Sequence, residues 1–123
     1  MDKPIFRVII AGGRHFNNYG MLYHYCDKIL SEKKKTHEII IVSGHAPGAD
    51  LIGEQYARDR KYGCSIYPAM WSKYGKAAGP MRNRQMAEQS QALIAFWNGT
   101  SKGTKNMIET AQELGLLVRV KRY

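Results

Sequence analysis

Glu38-Ile39-Ile40-Ile41-Val42, followed at once by Ser43-Gly44-His45-Ala46-Pro47-Gly48-Ala49-Asp50, decides the fold. The first part is a short, β-branched, unalternating apolar run, the pattern of a strand buried on both faces of a parallel sheet. The glycine- and proline-bearing turn after it leads into a helix expected from Asp50 through Tyr62. Strand, small-residue loop and helix in that order make one α/β unit.

The same unit recurs on either side. Phe6-Arg7-Val8-Ile9-Ile10-Ala11 reads as a strand that ends at Gly12-Gly13. Met21, Leu22, Tyr25, Cys26, Ile29 and Leu30 then share one helical face, with Asn17 and Asn18 as alternative caps. Lys33-Lys34-Lys35 close that helix, where positive charge suits the dipole. Cys64 to Tyr67 is a third strand, and residues 69–79 form a loop rich in aromatics and glycine. Gly79-Pro80 opens the next helix, with Pro80 at its first position. Ala92-Leu93-Ile94-Ala95-Phe96-Trp97 is a fourth strand, and the turn from Asn98 to Gly103 starts a helix carrying Met107, Ile108, Ala111 and Leu114 on one face. Gly115 ends it, and Leu116 to Val120 gives a fifth strand. Strict alternation predicts an α/β fold: a single three-layer αβα Rossmann-like domain over residues 1–123, with a mainly parallel five-stranded sheet. Ligands of such sheets bind beyond the carboxyl ends of the strands, near the reversal of strand order. Those ends are where the glycines cluster.

Composition narrows the class. With 44% hydrophobic and 24% charged residues, the 123-residue chain is globular and long enough for a core. No apolar run approaches the ~20 residues that span a bilayer, so no membrane partner is expected. Met1-Asp2-Lys3-Pro4 leads straight into a strand, which gives no sign of a signal peptide. Cys26 and Cys64 read as two buried thiols, and together these features predict a cytoplasmic protein. No Cys/His spacing suits zinc, and neither a metal nor a cofactor is expected. The net charge of +9 calls for an anionic partner or for a generic electrostatic role; nucleic acid, nucleotide phosphates and plain solubility all fit it. Its excess lies in the second half, where residues 63–123 carry 9 Lys and Arg against 3 acids.

Four segments carry candidate chemistry. In Gly12-Gly13-Arg14, glycines allow close backbone approach and Arg14 offers a fork of donors to a phosphate, or else the segment is a tight turn with a solvated arginine. It lacks the third glycine of a dinucleotide fingerprint. Ser43, Gly44 and Gly48 belong to a loop whose N–H groups can hold an anion at a helix start. Asp50 is a candidate either to cap that helix or to accept hydrogen bonds from a sugar hydroxyl or an amine. Arg82 and Asn83 follow Gly79 in a first helical turn, where an arginine opposes the dipole unless an anion sits nearby. Gly99, Ser101, Gly103 and Thr104 suit a phosphate at a helix N-terminus but do not form a Walker A sequence, so ATP hydrolysis is not expected. Trp71 and Tyr74, beside Lys73 and Lys76, can stack on a base, or Trp71 can simply cover the core. Trp97, Met86 and Ala87 read as core.

Three of these stretches in order resemble the YspA-type (cpYpsA-related) branch of the SLOG superfamily. They are Ala11-Gly12-Gly13-Arg14-His15-Phe16, Ser43 through Asp50, and Trp71 through Gly75 followed by Ala78-Gly79-Pro80-Met81-Arg82-Asn83. The resemblance implies a Rossmann-like sandwich that binds nucleotides or nucleotide-derived small molecules, and by analogy a homodimer. SLOG relatives include the LOG enzymes, which cleave the N-glycosidic bond of nucleoside monophosphates. Against their pattern Arg82 matches the arginine, and Gly99, Gly103 and Thr104 match part of the loop. The catalytic glutamate's place falls on Met107, or on Asn106 if the alignment slides by one. Glu109 is the nearest acid. Expelling a base needs a carboxylate, which a methionine cannot replace, so Asp50, Glu109 and Arg82 are the catalytic candidates if cleavage occurs. Three readings follow: a nucleotide-binding module that senses or sequesters its ligand, a LOG-type N-glycosidase or hydrolase, and a nucleic-acid-binding protein.

Overall fold

The computed structural model describes residues 2–123. Its strands are β1 (Ile5–Gly12), β2 (Glu38–Ser43), β3 (Gly63–Ile66), β4 (Ala92–Trp97) and β5 (Leu117–Arg122). They form one sheet in the order β3-β2-β1-β4-β5, with every neighbouring pair parallel. The chain steps outward from β1 to β3, then crosses back to the other side of β1. Strand order therefore reverses between β1 and β4, which opens a crevice at their carboxyl ends.

The pleat sorts each central strand onto two helical layers, because successive side chains point to opposite faces. Val8 and Ile10 of β1, with Ile94 and Phe96 of β4, pack under α1 (Tyr19–Leu30) and α3 (Ala49–Arg60). Ile9, Leu93 and Ala95 face α5 (Ala78–Glu88) and α6 (Lys102–Glu113). Met86 and Ala87 are core, as their sequence suggests. Asp27 of α1 accepts hydrogen bonds from Tyr56 (2.7 Å) and Arg60 of α3, which clasps one outer layer. Among the described residues no helix is long and apolar enough to cross a membrane.

Several local expectations change. Asn18, not Asn17, caps α1, accepting the Met21 N–H at 3.0 Å. Lys33-Lys34-Lys35 do not extend that helix but begin a separate turn, α2 (Lys33–Thr36). The loop over residues 69–79 contains α4 (Trp71–Tyr74) and a 3₁₀ turn, Gly75–Ala77. Short helices carry too little periodicity to be seen in sequence. Helix α5 consequently starts at Ala78 and Pro80 is its third residue, still within the turn whose N–H groups lack helical partners. Cys26 is buried, but Cys64, on an edge strand, is exposed.

Candidate functional site

A cleft of about 500 Å³ lies over the carboxyl ends of β1 and β4. Four strand-to-helix connections wall it. Gly12 ends β1 where a Cβ would strike the Phe96 carbonyl oxygen and come within 2.8 Å of Ala49 Cβ. Only glycine lets β1, β4 and α3 meet this closely. Arg14, two residues on, lines the cleft. Gly13 does not; it packs against the Tyr123 ring.

The loop after β2 is held from beneath. Ser43 Oγ is buried, donates to Glu54 Oε2 at 2.8 Å and accepts the His45 N–H at 3.1 Å. His45 adopts a positive φ of 62°, and its Nδ1 lies 2.8 Å from the same Glu54 oxygen. Gly48, at φ 85°, seats this loop on the backbone of Gly13 and Arg14, and the Ala49 N–H donates to the Gly13 carbonyl at 3.2 Å. Gly48 is the N-cap of α3, so Asp50 is not a capping residue. Its carboxylate turns inward instead and accepts the Ala46 N–H at 3.3 Å, only 5% exposed.

Burial raises the Asp50 carboxyl to about 6, against the Ala46 and Gly12 N–H groups and the Arg82 charge, while Glu54 pushes it further up. The folded protein thus binds this proton more tightly than the unfolded chain. Stability from this group is greatest in acid and falls as pH rises from about 4 through 6, by roughly 3 kcal/mol in all.

Arg82 is the fifth residue of α5, past its first turn. Its Nη1 donates to the carbonyls of Gly44 (2.6 Å) and Tyr67 (3.4 Å), and Nε donates to Asn83 Oδ1 (3.0 Å). Burial lowers its pKa and the nearby Asp50 opposes that. These groups already compensate the guanidinium, so its place in α5 does not by itself call for an anion. Arg82 is a tie between the loops after β2 and β3. Gly44 must lack a side chain because a Cβ there would strike the Arg82 guanidinium.

On the opposite wall Asn83 Nδ2 donates to Asn106 Oδ1 at 2.9 Å, tying α5 to α6. Asn98 Oδ1 accepts the Thr100 and Ser101 N–H groups, and Ser101 caps α6 by accepting the Thr104 N–H. Trp97, partly buried, donates from Nε1 to the Ser101 carbonyl at 3.0 Å. The N–H groups of Lys102 and Gly103 are left without partners among the described residues. Trp71 rims the cleft, half exposed, with its ring against Gly79.

Gly12, Arg14, Asp50, Trp71, Gly79, Arg82, Asn83, Ser101, Gly103 and Thr104 therefore share one cleft. Ser43, Gly44 and Gly48 shape it from behind. Gly99 packs against Arg122, and Glu109 is exposed on α6; neither lines it. Lys102, which sequence reading passed over, does, and so does Asn106, named there only as a place for the LOG glutamate. Lys102 stood inside a loop weighed only for its glycines and hydroxyls. The buried Glu54 was also missed, although its place one helical turn after Asp50 was a usable signal. Among the described residues, Arg14, Lys76, Arg82 and Lys102 bring four positive charges to the cleft, against the single acid Asp50. Among the described residues no three His, Cys, Asp or Glu side chains gather as a metal site would need.

A family model for "YspA, cpYpsA-related SLOG family" matches residues 6–74, from β1 through α4. The Gene 61 protein of Mycobacterium phage D29 is 30% identical over 119 residues, covering 91% of this chain and 93% of that one. The crystal structure of DNA processing protein A (DprA) from Streptococcus pneumoniae superposes with a TM-score of 0.68 over 96% of this chain, at 20% identity. This chain spans 50% of that structure's length, and the likeness is one of fold.

Proposed function

The chain belongs to the YspA, cpYpsA-related SLOG family, and from that premise we propose that it binds a nucleotide or nucleotide-derived ligand in the β1–β4 cleft, as a sensing or sequestering module. One observation carries the reading. The unpaired N–H groups that begin α6 open beside Arg14, Lys76 and Lys102 in a single cleft. Fixed N–H dipoles and mobile cations together suit a phosphate. Trp71 at the rim supplies a flat surface for a base. Free thiols favour a cytoplasmic setting.

A LOG-type hydrolase is the second reading, favoured by Asp50, whose carboxyl near pH 6 is tuned for proton transfer. Against it, Met107 and Asn106 line the cleft where the resemblance puts the catalytic glutamate. Nucleic-acid binding rests on the +9 charge, on exposed Trp71 and Tyr74, and on the DNA processing named for the fold neighbour. A cleft walled by four loops suits a compact ligand better than an extended strand.

Calorimetric titration with a panel of nucleotides tests the proposal. Saturable binding is expected, weakened about tenfold or more by Arg14→Ala and by Lys102→Ala, with no free base released. Uniform binding to single-stranded DNA that falls steeply with added salt would instead favour the nucleic-acid reading. Release of base, lost in Asp50→Asn, would favour the hydrolase.

A further inference from the structure

Strand β5 pairs with β4 and has no further neighbour among the described residues. The Leu117 and Tyr123 N–H groups donate inward, to the carbonyls of Gln91 (3.1 Å) and Trp97 (3.3 Å). Main-chain groups alternate sides along a strand, so those of Val118, Val120 and Arg122 point outward. Of these, the Val118 carbonyl takes a 3.4 Å hydrogen bond from Arg119 Nη1. An open row of this kind is a template for another strand.

The side chains beside that edge single out what can add to it. Leu117 and Arg119 pair with Ala92 and Ile94, which puts them on the α1 face of the sheet. There a groove of about 170 Å³ runs between α1 and β5, lined by Phe6, Val8, Ile29, Ala92, Ile94 and the exposed Leu117. Among the described residues its charged side chains are Lys33 and Arg119, both cationic. Strand β5 adds Lys121 and Arg122 and carries no acid. None of these four cations is ion-paired among the described residues. Charge on an edge strand is a common guard against association, but a guard needs no apolar groove beside it.

We propose that the β5 edge binds an extended acidic peptide segment of a partner protein. The segment adds a strand to the sheet, seats an aliphatic side chain in the α1–β5 groove and sets its carboxylates against Lys33, Arg119 and Lys121. A second copy of this chain fits poorly, because two β5 strands side by side would set Arg119, Lys121 and Arg122 against their own kind. Nucleic acid fits poorly too. Lys33 Nζ lies over the Phe6 ring at 4.8 Å and Lys121 Nζ over the Tyr25 ring at 5.9 Å, so a cation already sits where a base would stack. The groove shares no lining residue with the β1–β4 cleft, and the proposal stands apart from the nucleotide reading.

The test pans a displayed library of random nine-residue peptides against the whole protein and against Val120→Pro, which removes an outward N–H that the sheet does not use. The wild type is expected to enrich acidic peptides that carry an aliphatic residue. By fluorescence anisotropy the best of them should bind Val120→Pro, Arg119→Glu and Leu117→Ser about tenfold or more weakly. If Val120→Pro does not fold, Arg119→Glu and Leu117→Ser, both changed at exposed side chains, carry the test. No enrichment of acidic sequences, or an affinity that any folded variant leaves unchanged, overturns the proposal. Oligothymidylate that binds this edge more tightly than the peptides overturns it in favour of nucleic acid. A dimer in sedimentation that Val120→Pro dissociates overturns it in favour of a second copy.

Discussion

Gly48→Ala is expected to lower stability by about 3 kcal/mol and to remove ligand binding at the cleft. Gly48 stands at φ 85° and ψ −130°, which an L-residue rarely adopts. Strain accounts for part of the loss. Its new Cβ would also strike the Gly13 carbonyl oxygen and fall 2.6 Å from the Arg14 carbonyl carbon. Those are backbone atoms and cannot swing aside as a side chain would. The loop after β1 must move, taking with it the Ala49 N–H to Gly13 hydrogen bond and the position of Arg14. Gly20→Ala is the matched control, since its Cβ would meet nothing nearer than 3.7 Å. Helix propensity should make that change neutral or slightly stabilising. Urea midpoints of the two variants check the contrast. Equal midpoints would show that the two loops are not seated on each other through Gly48.

Arg82→Ala should cost about 3 kcal/mol, and more at pH 8 than at pH 5. The variant strands the Gly44 and Tyr67 carbonyls and removes the cation that eases the charge on buried Asp50. At pH 8 that carboxylate is ionised and, without the Arg82 charge, keeps only the Ala46 and Gly12 N–H groups against its burial. At pH 5 it is largely protonated, so the loss shrinks. Arg82→Lys keeps a charge but not the planar guanidinium whose Nη1 serves both carbonyls while Nε serves Asn83, and should recover only the pH-dependent part. Denaturation of both variants at the two pH values separates charge from hydrogen bonding. A loss independent of pH would mean that Arg82 and Asp50 are not coupled.

The architecture was legible because its signals are local. Ile39-Ile40-Ile41-Val42 and Leu93-Ile94-Ala95-Phe96 are apolar on both faces, and small-residue loops follow each strand where the crevice opens. Gathering of Arg14, Asp50, Asn83 and Thr104 into one cleft followed from that topology. What stayed hidden depends on partners far apart in the chain. Nothing local reveals that Arg82 is satisfied by carbonyls 38 and 15 residues away, so its cost in a helix was taken for a sign of phosphate. Ser43, His45 and Glu54 form a network only after α3 folds onto β2. Helix α4 was invisible because four residues are too few to display a period. Cys64 was misjudged because burial depends on β3 being an edge, which follows from strand order rather than composition.

Amide NMR spectra recorded while the best-binding nucleotide is added test the binding site most directly. Shifts are expected at Gly12, Arg14, Lys102, Gly103 and Thr104 and at the Trp71 indole, saturating together at one affinity. A wider hollow of about 820 Å³ at the other end of the sheet, lined by Lys3, Lys34 and Lys61, should stay unperturbed. Shifts confined to that hollow, or none in the β1–β4 cleft, would contradict the account.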